Sequence, residues 1–409
     1  MKFLFVHQNF PGQYLHLARH LSSIPGNEIV FITQRENASL PGIRNIVYKP
    51  QRQITPGVHH YLFDTESGIL NAQEVARAAL SLRDSGFVPD VMLGHNGWGE
   101  IWYLKDVFPH TPLIGYFEFF YLYRGADVGF NPNDPDIFDT APRIRTKNLG
   151  NLIGLDAVDI GQTATSWQKS LYPERYRQKL HAVHEGINTD LVAPNATVRL
   201  PLPGSGLEFT RDDEVVTYVA RNLEPYRGFP SFMRSLPELL RKRPDAHIII
   251  VGGDDVSYGH HLPEGKTHKQ IMLDELGSSI DSKRVHFLGK VPYTLYLKIL
   301  QLSRVHVYLT YPFVLSWSMM EAMSAGCLIV ASKTQPVEEI IRDGENGLMV
   351  DFFSHGEIAT RVAEALEAGP NGYSDIRTNA RNTVIRNYDL AKVCLPAQLG
   401  LIETALNCR

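Results

Sequence analysis

The side chains best suited to chemistry in this chain lie in the run TYPFVLSWSMMEAMSAGCLIVA, residues 310–331. Glu321 is its one acid, set among Met, Ala, Leu, Val and Trp. A carboxylate buried in such company needs hydrogen-bond donors, and sugar hydroxyls would supply them. A core helix whose Glu escapes to the surface is the alternative. Ser316 or Ser318 can cap a helix over 316–325, and the free N–H groups and positive dipole end of that helix suit an anion. A second candidate is RNLEPYRG, where Arg221 and Arg227 follow an apolar run. Two cations at the end of a strand suit a diphosphate, which Arg can hold bidentately. A solvated pair is the other reading. His95 and Glu118 each follow an apolar stretch, VMLG and LIGYF, and as strand-tip residues both are expected to point into one crevice.

These groups need elements to position them. Short apolar runs predict strands over 2–6, 28–33, 46–48, 91–94, 113–116 and 159–163, with helices over 13–21, 68–84 and 98–107. Gly12 lies in the turn after the first strand, where a glycine permits close backbone approach. The pattern restarts after residue 213, with strands over 215–220, 247–251, 285–288, 305–310 and 328–331. Helices are expected over 229–242, 267–276 and 293–302. Such alternation implies α/β domains built on parallel sheets. Between the halves, Pro194, Pro201, Pro203, Gly204 and Gly206 read as a linker over 194–213, giving domains over 1–193 and 214–387. The stretch 118–145, first aromatic and then rich in Pro and Asp, reads as a long irregular loop. Its aromatic start could line an acceptor pocket or pack in a core.

Composition narrows the function classes. The chain has 409 residues, 44% hydrophobic and 21% charged, enough for two cores and unlike a disordered protein. A formal charge of −4 gives no general argument for nucleic acid. Cys327, Cys394 and Cys408 form neither a metal spacing nor a disulfide framework, which fits a reducing cytoplasm. No apolar run approaches the ~20 residues of a membrane span, and the first twelve residues read as a buried strand rather than a signal peptide. Peripheral contact with the inner face of a membrane stays open. Asp134 and Asp136 form an Asp-x-Asp, discounted as a metal site because it lies in a Pro-broken loop. His260, His261 and His268 lack a partner at a recognised metal spacing and read as an exposed loop.

PFVLSWSMMEAMSAGCLIVAS resembles the Glu-x7-Glu region of the family-4 retaining glycosyltransferases, usually E-G-F-G-L-x-x-x-E-A-M-A-x-G-x-P-V-V-A. Glu321 falls on the second Glu, which in that family holds the ribose of a nucleotide-sugar donor. Phe313 falls on the first Glu, and Val314 and Ser316 on the two glycines. Leu315, Ser316 and Trp317 stand in the donor-binding loop between the two acids. RNLEPYRG is similar to the phosphate loop R-x-x-x-x-K-G, with one extra residue and Arg227 for Lys. FLGKV, residues 287–291, resembles the segment that reads the nucleotide base, which brings in Lys290 and Val291. Gly252 and Gly253 resemble a cleft-lining turn, and PGQYLHLARHL the first glycine loop, with Gly12. HAVHEGINTDLVAP is similar to the segment that closes the first domain, with Glu185, Gly186 and Asn188 on its Asn, Gly and Asp. TQPVEEIIRDGENGLMV resembles a further family segment, with Glu339 on its Glu. In the family a His commonly follows the strand matching 113–117 and touches the donor sugar; Glu118 stands there instead.

The resemblance implies the GT-B fold: two Rossmann-like domains facing a cleft, acceptor on the first and donor on the second, with residues 388–409 as a terminal helix crossing back. It implies a retaining transferase that moves a sugar from a nucleoside-diphosphate sugar, UDP favoured over GDP, to a glycan, lipid-linked or other hydroxyl acceptor. Arg221, Arg227 and the helix start at Ser316 would stabilise the leaving diphosphate, so neither metal nor other cofactor is expected. Glu118 and His95 are the candidates on the first domain, with Glu118 reaching the sugar in place of the missing acid. A catalytically weak nucleotide-sugar-binding protein, or a GT-B phosphorylase or epimerase, are the other readings. The sequence names neither sugar, acceptor nor oligomeric state.

Overall fold

The computed structural model describes residues 1–135, 137–202, 206–259 and 262–407. Asp136 of the Asp-x-Asp, Pro203 and Gly204 of the expected linker, His260, His261 and Cys408 lie outside them. The chain divides into two compact units, Met1–Gly186 with the stretch from Leu390 onward, and Ile187–Asp389.

The first unit is built on a parallel sheet of seven strands: β1 (Lys2–Val6), β2 (Glu28–Thr33), β3 (Ile43–Val47), β4 (Val91–His95), β5 (Leu113–Tyr116), β6 (Ile160–Thr163) and β7 (Leu180–Ala182). Their order is β3-β2-β1-β4-β5-β6-β7. The central strands are near-continuous apolar runs because helices cover both faces of such a sheet. Leu4 of β1 pairs with Val30 on one side and Met92 on the other, and all three are buried. One face packs Phe3, Phe5 and Phe31 against Tyr14 and helix α1 (Leu15–Ser23), through Leu17 and Leu21. The same cluster takes Leu401, Ile402 and Ala405 from the last helix, which follows a π-helical turn at Leu390–Cys394 rather than running unbroken from 390. Gln398 ties that helix down, its Nε2 donating to the carbonyls of His184 (3.3 Å) and Glu185 (3.2 Å). The order reverses between β1 and β4, so the carboxyl tips of these two strands, His7 and His95, border the crevice where open α/β sheets bind ligands.

Expected bounds shift here: the strand expected over 46–48 is Ile43–Val47, and the helix expected over 68–84 begins at Phe63. The helix expected over 98–107 is helical only at Leu104–Val107. The preceding residues are turns, with Gly99 at a φ of +85° and the Trp98 carbonyl accepting a hydrogen bond from Asn71 Nδ2 at 2.9 Å. The irregular stretch 118–145 ends in a helix, Thr140–Lys147.

The second unit carries six parallel strands: β8 (Val215–Asn222), β9 (His247–Gly253), β10 (Val285–Phe287), β11 (Val305–Tyr308), β12 (Leu328–Ser332) and β13 (Leu348–Val350). Their order is β10-β9-β8-β11-β12-β13, reversing at β8. Helices α2 (Phe229–Lys242), α3 (Tyr293–Leu302) and α4 (Trp317–Ser324) pack beside these strands. Phe232 of α2 stacks on Tyr218 of β8. Met319, Met320 and Met323 of α4 pack with Leu297 and Leu300 of α3 and Ile329 of β12. The residues expected as a linker fall in this unit: Leu200–Pro201 pairs with Glu208–Phe209, and Val198, Leu200, Leu202 and Phe209 pack on Ile249 and Ile299. The apolar residues of this stretch bury surface there, and the division falls at Gly186/Ile187. Among the described residues no helix is long and apolar enough to cross a membrane.

Candidate functional site

A pocket of ≈ 330 Å³ opens at the carboxyl tips of the second sheet, lined by Ala220, Arg221, Val251, Gly252, Lys290, Val291, Tyr293 and Tyr296. The local fold explains each wall. Strands β8 and β9 pair in register to Val219 and Val251, then slip, so that Asn222 next meets Gly253. The irregularity puts one extra residue on β8 and re-aims the chain there, where exposed Arg221 reaches the pocket. Gly252 leaves the tip of β9 open. At Gly253 the Lys290 side chain passes close over the backbone, 2.5 Å from where a Cβ would stand. Two cations therefore flank one pocket.

Glu321 stands on α4 behind the two tyrosines. Its Oε1 accepts from Tyr293 Oη–H and its Oε2 from Tyr296 Oη–H, both at 2.6 Å. Burial raises the pKa of this carboxyl, and the two tyrosine hydrogen bonds pull it back down. At the start of α4, Ser316 Oγ accepts from the Ser318 N–H at 3.3 Å and the Ser316 N–H donates to Tyr308 Oη at 2.8 Å. Leu315 is partly buried against the core, and Trp317 is 44% exposed.

Arg227 is not among the lining residues. Its side chain is buried, with Nη1 donating to Thr310 Oγ1 and the Val314 carbonyl at 2.8 Å each, and its guanidinium lies over the Tyr258 ring. It fastens the chain at 310–314, and aromatic rings fill the space around it. Phe313, which stands where the family has its first Glu, meets Tyr226 and Tyr258 edge-on, and Tyr226 stacks on Tyr311. Glu224 fixes the loop that carries Tyr258, its carboxylate accepting the N–H groups of Ser257, Tyr258 and Gly259.

The remaining candidates, Gly12, His95 and Glu118, lie on the first unit. Gly12 has a φ of +54°, and a Cβ on it would sit 2.4 Å from His7 Nε2, so the turn tolerates only glycine. His7 Nδ1 accepts the Asn9 N–H, which leaves Nε2–H to donate to Gln13 Oε1 at 2.6 Å. His95 is the last residue of β4 rather than the residue after it. Its Nδ1 accepts the Gly97 N–H at 2.9 Å, and its Nε2 is buried without a hydrogen-bond partner among the described residues. The His95 ring stacks between Trp98 and Tyr116 and lies 4.9 Å from that of His7. Burial lowers the pKa of His7 to about 4 and that of His95 well below the ordinary value. Glu118 is half-buried past β5, and its carbonyl accepts from Gln168 Nε2 at 2.6 Å.

Known proteins share both halves of this arrangement. The family model described as "Glycosyl transferase family 4 group" matches residues 25–192, and that of "Glycosyl transferases group 1" matches residues 207–383. The chain belongs to the group 1 glycosyltransferases. An uncharacterized glycosyltransferase of Methanocaldococcus jannaschii is 26% identical over 171 residues, 42% of this chain and 40% of that one. The chain spans about half the length of the curated relatives it matches. Among solved structures, sucrose-phosphate synthase from Thermosynechococcus elongatus superposes with a TM-score of 0.71 at 15% identity, covering 100% of this chain and 99% of that one. HepE from Anabaena in complex with UDP-glucose gives a TM-score of 0.66 at 15% identity, over 99% of this chain and 100% of that one. At such identity the likeness establishes the fold, which is GT-B.

In this glycosyltransferase the second unit brings Arg221, Gly252, Lys290 and Val291 to one pocket with Glu321 behind it, while Arg227 lies outside its lining. Sequence reasoning missed Tyr293 and Tyr296. A signal existed: YTLY at the start of a predicted helix puts two phenols three residues apart, on one face.

Proposed function

We propose that this glycosyltransferase is a retaining enzyme that moves a sugar from a UDP-sugar to a hydroxyl acceptor, a glycan or lipid-linked one among them, without a metal. One observation carries the reading: a single pocket at the sheet's switch point joins two cations, a glycine and two tyrosines, and those tyrosines hold a half-buried carboxylate behind them. That combination suits a nucleoside diphosphate, with Arg221 and Lys290 toward the phosphates, Val291 and Gly252 toward the base, and Glu321 toward the ribose. The structural neighbour with bound UDP-glucose supports UDP over GDP. In the reaction the bond from the anomeric carbon to the β-phosphate oxygen breaks and its electron pair leaves with UDP. The acceptor oxygen bonds to that carbon on the same face, and its proton passes to the departing phosphate. Arg221 stabilises the charge that develops there. Arg227 serves by holding residues 310–314 in place, and His95 and Glu118 stand as the candidates of the first unit. The three well-spaced cysteines fit a cytoplasmic setting.

A second reading, a weak transferase that mainly binds nucleotide sugars, is favoured by Phe313 in its aromatic packing. A screen of UDP- and GDP-sugars for donor hydrolysis and transfer, run in EDTA, separates the two. UDP-sugar turnover in EDTA is the expected result. Activity that appears only on adding Mg²⁺ or Mn²⁺ would overturn the metal-free mechanism, and UDP-sugar binding without turnover would favour the second reading.

A further inference from the structure

We propose that Tyr293 and Tyr296 are positioning residues of the nucleotide site, whose paired hydroxyls aim the Glu321 carboxylate at the ribose. The proposal rests on the assignment of Glu321 to the ribose. Three residues apart on α3, the two phenols share one helix face and reach the one acid of α4. Each donates to a different carboxylate oxygen at 2.6 Å, so the plane of the group is fixed from both sides. An ionised carboxylate has about four lone-pair sites, which leaves acceptor capacity on both oxygens for two ribose hydroxyls. The tyrosines differ in anchorage. Tyr296 packs on the core cluster beneath α4, while Tyr293 is 48% exposed; both line the pocket.

The same two bonds favour the ionised form of the acid. Burial drives Glu321 toward its neutral form, in which one oxygen becomes a donor, and the tyrosine hydroxyls oppose that change. The other charged or titratable groups on neighbouring elements point elsewhere. Arg377 and Arg381 on the helix Ser374–Tyr388 donate to the Gly326 and Ser324 carbonyls at the far end of α4. The buried Cys327 thiol donates to the Leu300 carbonyl, and Arg221 and Lys290 lie across the pocket. Among the described residues, the hydrogen bonds to the carboxylate are those of the two tyrosines.

The test is calorimetric titration of UDP and 2′-deoxy-UDP into the full-length chain between pH 8.5 and 6, always relative to wild type. Tyr293→Phe and Tyr296→Phe are each expected to weaken UDP binding about tenfold near pH 7, the range for a hydrogen bond to a charged group. In the double variant the deficit should grow as pH falls, because without its donors Glu321 takes up a proton at higher pH. In a Glu321→Gln background the same Tyr→Phe changes should cost little and show no such pH trend. Losses that stay constant with pH and persist in that background would overturn the proposal and leave the tyrosines as plain walls. Should wild type and Glu321→Gln bind UDP alike and ignore the 2′-hydroxyl, the ribose assignment itself fails. Tyr293, being half exposed, can be changed without loss of the fold, which circular dichroism checks.

Discussion

At the carboxyl tips of its strands the first sheet gathers His7, His95, Trp98 and Tyr116, and the second gathers Arg221, Lys290, Tyr293, Tyr296 and Glu321. Both tips lie at a reversal of strand order, so topology marks both as places for a ligand. Their chemistry differs in what has been done with charge. In the first unit the imidazoles are packed among aromatic rings, buried and hydrogen-bonded to nearby backbone N–H groups, and burial keeps them neutral. In the second, two cations stay at the surface of a pocket, and a half-buried acid is held by phenols that oppose its neutralisation. The fold makes two equivalent crevices, and the side chains decide which of them suits a diphosphate.

The largest effect that separates the two tips should come from Arg221→Ala. Steady-state kinetics is expected to show a loss of about 2–4 kcal/mol of transition-state stabilisation, up to about a thousandfold in kcat/KM, as for loss of one oxyanion donor. Unchanged kcat/KM would move the phosphates away from the second tip.

Next in size is the acid effect of His7 at the first tip. The folded-state pKa of His7, about 4, lies below its unfolded value of 6.5, so below pH 6.5 the unfolded chain binds a proton that the native chain does not. Stability is therefore complete above pH 6.5 and falls as pH drops toward 4, by about 3 kcal/mol in all for this one group. Urea titrations from pH 7 to 4 read this directly, and His7→Gln should flatten the slope. A slope untouched by that change would mean the ring is not held neutral.

Smaller still is Arg227→Lys. A single ammonium cannot reproduce both hydrogen bonds of the guanidinium to Thr310 and Val314 or its stacking on Tyr258, and we expect a stability loss of about 1–2 kcal/mol. UDP affinity should stay within about threefold, since Arg227 lies outside the pocket lining, on the footing of an ordinary substitution away from a site. A large drop in affinity with unchanged stability would return Arg227 to the phosphates.

How much the sequence could convey depends on the range of the interactions. The limits of α2 and α3 and of strands β2 and β5 agree with the structure because each is a local pattern of apolar residues between breakers. Glu321 stood out as the one acid of an apolar helix. Arg227 was legible as a cation but not as a buried one, since its acceptors, Thr310 and Val314, lie more than eighty residues away. The role of Tyr293 and Tyr296 appears only once α4 is laid beside α3. The stretch 194–213 carries two signals: its prolines read as a linker, while Val198, Leu200, Leu202 and Phe209 pack into the second unit's core.

The central claim, that the second tip holds the nucleotide, is tested most directly by hydrogen exchange of the protein with and without UDP, both in EDTA. Exchange should slow in the peptides carrying residues 219–223, 251–253 and 289–296. Unchanged exchange in those three segments, with slowing instead around His7–Gly12 and Val91–His95, would contradict the account.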